Sequence, residues 1–172
     1  VLDAARGLRN GDYSAFRYNG YISKYTNQIG LLFIEYIIGF IVGDYNYLFW
    51  QLLNVVMIVF TYKMFSDILG ILKLPRIASL STIILGILFF PWTLYSVFIY
   101  GNVAGLFFAT AAFKYTMLFI DSLKEFNSFK ISYIVISAVS MMLSVMVKNN
   151  YLIFMIALII YTVAEALKHR NI

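Results

Sequence analysis

The chain has 172 residues and no cysteine; 62% of the residues are hydrophobic and only 12% are charged. A soluble domain is about half apolar and about a quarter charged, so this composition excludes a soluble globular protein, and the lack of cysteine excludes disulfides and thiolate metal sites. The net charge of +5 does not indicate nucleic-acid binding, because the basic residues lie at the ends of apolar runs, where they match lipid headgroups and membrane topology.

The first residues, "VLDAARGLRNGDYSAF", begin a polar region that we predict to be an extracytoplasmic loop over residues 1–46. They contain no initiator Met, no basic leader and no apolar signal core. We therefore expect the chain to be part of a longer protein.

An apolar stretch follows the polar strip "YNGYISKYTNQ" and stops at Gly43 and Asp44. It is shorter than the roughly 17–25 residues that cross a bilayer. Glu35 at mid-bilayer would also cost about 2.5–3.5 kcal/mol. We predict instead a helix over residues 28–43 that lies in the outer membrane interface, with a narrow polar stripe that includes Glu35.

Five further stretches are long and apolar enough to cross a bilayer. We predict helices, because only a helix satisfies its own backbone in lipid, and we expect Pro91 to kink the second one. The predicted spans are 47–65, 77–99, 103–120, 131–147 and 150–167. The predicted fold is therefore an all-α integral membrane protein, with a transmembrane bundle over 47–172 of about five helices and one juxtamembrane interfacial helix.

The basic residues orient these helices, because short cytoplasmic loops are rich in lysine and arginine. One set of helix ends holds Lys63, Lys73, Arg76, Lys124, Lys130, Lys168 and Arg170. That side is predicted to be cytoplasmic, which leaves residues 1–46 outside. If residues 29–42 also crossed the membrane, the first three of these cations would move outside, so the interfacial helix is preferred.

Lys148 is the main candidate for a functional cation. It ends a predicted span on the outer side, in "VMVKNNYLIF", where the positive-inside rule disfavours a lysine. Cations at this depth suit a phosphate carried by a lipid, and the alternative is a lysine that only snorkels to the interface. Lys24 is the second phosphate-binding candidate, whereas the arginines of the outer loop are expected to anchor that loop.

The remaining polar residues divide into a predicted cavity wall and predicted packing positions. The wall, at the outer membrane surface, consists of Tyr21, Tyr25, Gln28 and Asn102. Two faces of small residues indicate close helix packing: Gly105, Ala109 and Ala112, then Ser137, Ser140 and Ser144. Lys114, deep in a span, is expected to snorkel inward. The sequence contains no Ser-His-Asp set, no phosphate-binding loop and no metal-ligand spacing of histidines, so no metal site is predicted.

The order "AARGLRNGDYSAF", "GYISKYTNQIGLLFIEYIIGFIVGDYNYLFWQLLNVV", "FIYGNVAGLFF" and "VKNNYLIF" resembles membrane glycosyltransferases of the GT-C type, which include protein O-mannosyltransferase and lipid A aminoarabinose transferase relatives. In such proteins an outer loop is followed by a short interfacial helix and then a span. The resemblance covers the whole chain as the N-terminal part of such a module. No single motif is highly specific, and the order of the elements carries the resemblance.

The resemblance implies a cavity at the outer membrane surface, in which a sugar passes from a polyprenyl-phosphate donor to an extracytoplasmic acceptor. It implies membrane lipids and the lipid-linked donor as partners and no nucleic acid. It also implies a bacterial cell membrane as the location. It leaves open the sugar, the acceptor, the oligomeric state and whether a divalent metal takes part.

Two departures from the family pattern matter. The family's proline in the strip before the interfacial helix is Thr26 here. The family's catalytic aspartate is expected upstream of Val1, with Asp3 out of register, so no catalytic residue is assigned within the chain. The alternative functions are a non-enzymatic flippase or transporter component and a structural membrane subunit.

Overall fold

The structure is a computed structural model, and it describes residues 1–124 and 130–170. All regular structure within these ranges is helical, which confirms the predicted all-α class. The described helices are α1 (Leu2–Arg9), α2 (Tyr21–Lys24), α3 (Ile29–Val42), α4 (Tyr47–Ile71), α5 (Arg76–Leu88), α6 (Phe90–Val97), α7 (Asn102–Lys124), α8 (Ile131–Val147) and α9 (Leu152–Arg170). Short 3-10 helices occur at Ser14–Phe16, Thr26–Gln28 and Asn149–Tyr151.

Two helices, α4 and α7, are long and apolar enough to cross a membrane. The number rises to four if each of two bent helix pairs counts as one crossing: Ser14–Lys24 with Thr26–Val42, bent by 101°, and α5 with α6, bent by 60°. The helices α8 and α9 are apolar but shorter in their apolar part. The described residues thus supply two to four candidate spans, and the prediction of five is not confirmed. The loop predicted between the spans 103–120 and 131–147 includes residues 125–129, which lie outside the described residues.

The helix α3 covers Ile29–Val42, close to the predicted range of 28–43. It ends at Gly43, whose φ of +83° is a conformation that favours glycine. Its first turn rests directly on the end of α8, because a β-carbon at Gly30 would lie 1.7 Å from the backbone oxygen of Met146. The bare backbone at Gly30 therefore fixes α3 across the end of α8.

The predicted span 77–99 is a bent pair of helices, so the predicted kink is present as a break. The helix α5 ends at Leu88 and α6 begins at Phe90. Pro91 lies in the first turn of α6, where a residue without a backbone N–H is tolerated. The break follows from the missing donor of Pro91, which cannot continue the hydrogen-bond ladder of α5.

Two side chains of α4 donate hydrogen bonds to backbone carbonyls around this break. The Tyr62 hydroxyl donates to the oxygen of Gly86 at 3.0 Å. The Asn54 amide donates to the oxygens of Ser96 and Phe98, each at 3.2 Å. Backbone carbonyls on both sides of the bend thus accept hydrogen bonds from side chains of α4.

The helices α7 and α8 form the most extensive helix pair of the described chain. Ser144 donates to the oxygen of Gly105 at 2.7 Å, and Ser137 donates to the oxygen of Ala112 at 2.8 Å. Both predicted small-residue faces meet in this contact, which confirms their packing role. The serine-to-carbonyl hydrogen bonds also fix the register of the two helices.

Lys114 does more than snorkel. Its ammonium lies 2.7 Å from a carboxylate oxygen of Asp67 on α4, and Lys63 lies 3.1 Å from the same oxygen. An ionisable side chain in an apolar bundle is costly without a partner, and the carboxylate of Asp67 supplies one. Lys114 is therefore part of a charged contact between α4 and α7.

Candidate functional site

The packing of α7 against α8 places the start of one helix beside the end of the other. α7 begins at Asn102 and α8 ends at Val147, so the next residue, Lys148, comes to lie next to Asn102. The turn before α7 contains Gly101, which has a φ of +69° and packs so closely on Val147 that a β-carbon would lie 2.8 Å from that side chain. The site is thus built on two rigid helix ends.

Lys148 is buried, with 7% of its surface exposed. Its ammonium donates a hydrogen bond to the side-chain oxygen of Asn102 and lies 4.1 Å from the centre of the Tyr100 ring. The ring face offers a second, electrostatic contact to the cation. Lys148 and Asn102, both predicted site residues, are therefore brought together, and the lysine does not point freely into lipid as simple snorkelling would require.

No carboxylate of the described residues lies within ion-pair distance of this ammonium. Burial lowers the pKa of Lys148, because the charged form loses hydration. An ammonium has three donors, and one of them is used by Asn102. The site therefore holds a positive charge at the end of the bundle, and the ammonium keeps donors that Asn102 does not use. Such a site suits an anion.

Asn102 is held in place from a third direction. The hydroxyl of Tyr151 donates to the backbone oxygen of Asn102 at 2.7 Å. The Tyr151 ring fits there because Gly105 has no side chain; a β-carbon at that position would lie 2.2 Å from the ring. Asn102, at the start of α7, is thus contacted by Lys148 directly after α8 and by Tyr151 directly before α9.

Tyr21 approaches the site from α2, whereas Lys24 and Tyr25 do not contact it. Burial raises the pKa of the Tyr21 hydroxyl, and the nearby Tyr100 and Glu35 raise it further, so Tyr21 lies near both groups. Tyr25 is half exposed and packs on Tyr21, with ring centres 5.1 Å apart. The Lys24 side chain is exposed and makes no polar contact with another described residue. The site therefore contains Tyr21 but not its predicted neighbour Lys24.

Gln28, predicted in the cavity wall, and Glu35, predicted in the polar stripe, are both buried. Their exposed fractions are 0% and 1%, and none of their four side-chain nitrogen and oxygen atoms has a hydrogen-bond partner among the described residues. Gln28 ends the 3-10 helix directly before α3, and Glu35 lies on α3 about two turns later. Burial raises the pKa of Glu35 to about 8. The packing of α1 on α3 accounts for the burial of Glu35.

Two apolar spaces flank the site. A cavity of about 260 Å³ lies between α3, α4 and the turn before α7, and Tyr100, Gly101 and Val147 form part of its wall. A groove of about 720 Å³ runs between α8 and α9, with Asn149 among its lining residues. The groove is lined by four of the chain's seven methionines, Met141, Met142, Met146 and Met155. Methionine side chains adapt to irregular apolar shapes, so this groove can accommodate a hydrocarbon chain.

No protein-family model, no curated protein and no solved structure matches this chain. The GT-C resemblance is therefore untested by comparison and remains a prediction. Within the described residues, no group of three or more histidine, cysteine, aspartate or glutamate side chains is placed to hold a metal ion.

Sequence reasoning missed two members of the site, Tyr100 and Tyr151. Both are aromatic residues next to the predicted polar positions Asn102 and Lys148, and that proximity was the available signal. Sequence spacing does not show that the ring of Tyr100 would cover a lysine distant along the chain.

Proposed function

We propose that this chain is part of a membrane glycosyltransferase that transfers a sugar from a polyprenyl-phosphate donor to an extracytoplasmic acceptor. The observation that carries the proposal is the ammonium of Lys148, which is buried without a carboxylate partner among the described residues and is oriented by Asn102 and Tyr100. Burial of a charged ammonium costs desolvation free energy. A bound phosphate, in the place of the missing carboxylate, would offset that cost.

The chemistry explains why the cation matters. The acceptor oxygen forms a bond to the anomeric carbon of the sugar, and the bond from that carbon to the phosphate oxygen breaks. The acceptor proton passes to a base, which the family resemblance expects upstream of Val1. Negative charge grows on the departing polyprenyl phosphate, and a fixed ammonium stabilises it more in the transition state than in the ground state. The apolar cavity next to Tyr100 and Val147 offers a place for part of the lipid.

The corresponding topology has five spans at the predicted positions, with α3 in the outer interface of a bacterial cell membrane. The asymmetry of lysine and arginine in the short loops supports it. Single cysteines, introduced at Ser23 and Ser66 in a chain that otherwise lacks cysteine, test it. We expect an impermeant thiol reagent to label the cysteine at position 23 from outside intact cells, and the one at position 66 only after the membrane is opened. External labelling at position 66 contradicts this topology.

The phosphate is the part of the donor that the site is expected to recognise. We expect the protein in lipid nanodiscs to bind a polyprenyl phosphate at least tenfold more tightly than the polyprenol of the same length, because a hydrogen bond to a charged group contributes about 1.5–3 kcal/mol. A scintillation proximity assay with tritiated lipids measures both affinities. Equal affinities for the phosphate and the alcohol rule out phosphate recognition at Lys148.

A flippase or transporter component is the second candidate, and the break between α5 and α6 is the observation that favours it. Transporters place their substrate at discontinuous helices near the middle of the membrane. The two functions differ in product: in the complete protein, sugar transfer to an acceptor supports the glycosyltransferase, whereas movement of the lipid-linked sugar across the bilayer without transfer supports the transporter.

A further inference from the structure

The N-terminal helix is held on α3 and on the residues directly after α3 by a small apolar contact and by two arginines. Ala4 and Ala5 of α1 pack with Ile22 and Leu32 in a buried cluster. Arg6 donates a hydrogen bond to the hydroxyl of Tyr45 at 2.8 Å and pairs with Asp44. We use the term N-terminal cap for residues 1–24, which cover one face of α3.

Arg9 makes most of the polar contacts that hold the cap in place. Its guanidinium donates to the backbone oxygens of Glu35 and Tyr36, at 3.0 and 3.2 Å, and pairs with the carboxylate of Asp44. The guanidinium lies flat on α3 because Gly39 has no side chain; a β-carbon there would lie 2.1 Å from the arginine. Arg9 therefore anchors α1 to α3 and to Asp44.

The same contact buries Glu35. Two titratable side chains face its carboxyl: the guanidinium of Arg9 from α1 and the hydroxyl of Tyr21 from α2. Neither is hydrogen-bonded to a carboxyl oxygen. The end of α8 also packs on α3, at Gly30, about one and a half turns before Glu35.

The cap can stay closed over a carboxyl group in this position only while that group is neutral. A neutral acid buried without a partner loses hydrogen bonds to water, whereas an ionised carboxylate loses its much larger hydration free energy. When Glu35 ionises, the least costly response is to let water reach it. Since α1 is the layer that covers the carboxyl, water enters by separation of α1 from α3.

We propose that the N-terminal cap is a proton-controlled lid, closed over α3 while Glu35 is protonated and opened when Glu35 loses its proton. The open lid uncovers the buried face of α3 and frees Tyr21, which lies near both Glu35 and Tyr100. Protonation of one side chain thereby governs access to the outer end of the bundle. This inference does not depend on the proposed glycosyltransferase function.

The sign of the pH dependence follows from burial. In the closed state the pKa of Glu35 is about 8, and in the open state it returns to its ordinary value of 4.5. The closed state is therefore fully favoured below pH 4.5 and loses that advantage as the pH rises towards 8. Between these values the ratio of open to closed lid rises about tenfold per pH unit, and above pH 8 it stays constant.

Amide hydrogen exchange followed by mass spectrometry tests the lid, with the protein in nanodiscs and Glu35→Gln as the matched variant. Glutamine keeps the size of the side chain and does not ionise. After correction for intrinsic exchange, we expect opening of residues 2–9 to rise about tenfold per pH unit between pH 5 and pH 7 in the wild type. We expect no such rise in Glu35→Gln. Amides of α7 and α8 serve as the reference, since local opening leaves them protected.

Three outcomes overturn the proposal. The first is an identical pH profile of residues 2–9 in the wild type and in Glu35→Gln. The second is a flat wild-type profile, which would mean that Arg9 turns to pair with the ionised carboxylate and the lid stays closed. The third is loss of protection in α7 and α8 together with α1, which would indicate global unfolding. If Glu35→Gln does not fold, tryptic cleavage after Arg9 in the wild type and in Glu35→Leu, measured from pH 6.5 to pH 8, gives the same comparison.

Discussion

Replacement of Lys148 by alanine is expected to weaken binding of a polyprenyl phosphate about tenfold to a hundredfold, which corresponds to the roughly 1.5–3 kcal/mol of one charge-assisted hydrogen bond. The ammonium is the one buried cation among the described residues that lacks a carboxylate, so its removal leaves the phosphate without a counter-charge at this site. In the complete protein the rate of sugar transfer should fall by a similar factor. Lys148→Arg should restore binding only in part, because a planar fork does not reproduce the point charge of an ammonium.

A second variant separates an anion-binding role of Lys148 from a packing role. Asn102→Asp places a carboxylate where the lysine now meets an amide oxygen. The internal carboxylate then competes with the phosphate, so affinity should fall as far as in Lys148→Ala while thermal stability is kept or raised. Lys130→Ala is the control, because Lys130 is exposed at the other end of α8. Undiminished binding in both Lys148→Ala and Asn102→Asp would falsify the phosphate role.

Replacement of Gly30 by alanine should lower the free energy of unfolding by about 3 kcal/mol or more, the upper end of the range for overpacking. The new β-carbon would lie 1.7 Å from the backbone oxygen and 2.4 Å from the backbone carbon of Met146. Backbone atoms at a helix end cannot move aside as a flexible side chain can, so α3 has to lift from α8.

Gly70→Ala is the matched control for Gly30→Ala, because a β-carbon at Gly70 meets nothing within 4 Å. It should leave the free energy of unfolding unchanged or raise it by up to about 1 kcal/mol, since alanine is the better helix former. Unfolding in mixed detergent micelles, followed by circular dichroism, measures both variants. Similar stabilities of the two variants would contradict the packing of α3 on α8.

Helix bounds and helix faces could be predicted from the sequence, because they depend on residues that are close together in the chain. The bounds of α3 follow from an apolar run and the stop at Gly43, and those of α8 follow from an apolar run between Lys130 and Lys148. The serine face of α8 was recognisable because residues three and four apart share one side of a helix. Each of these features is carried by residues close together in the sequence.

Contacts between distant segments were not predictable in the same way. The Lys114 to Asp67 pair joins residues 47 positions apart, and the Arg9 contacts with α3 span 26 and 27 positions. No periodicity marks Arg9 as the residue that crosses α3 at Gly39. For the same reason the covering of Glu35 by α1 was not predicted: the sequence shows that the residue is polar but not that α1 packs over it.

The angle between α5 and α6 is fixed by hydrogen bonds, so the bend is not a flexible hinge. The hydroxyl of Tyr62 and the amide of Asn54 donate to carbonyls on the two sides of the break. Turning α6 against α5 would pull these carbonyls away from their donors, and hydrocarbon offers no water to replace them. Because α4 is hydrogen-bonded to both α5 and α6, the bent pair and α4 are expected to move together as one rigid unit.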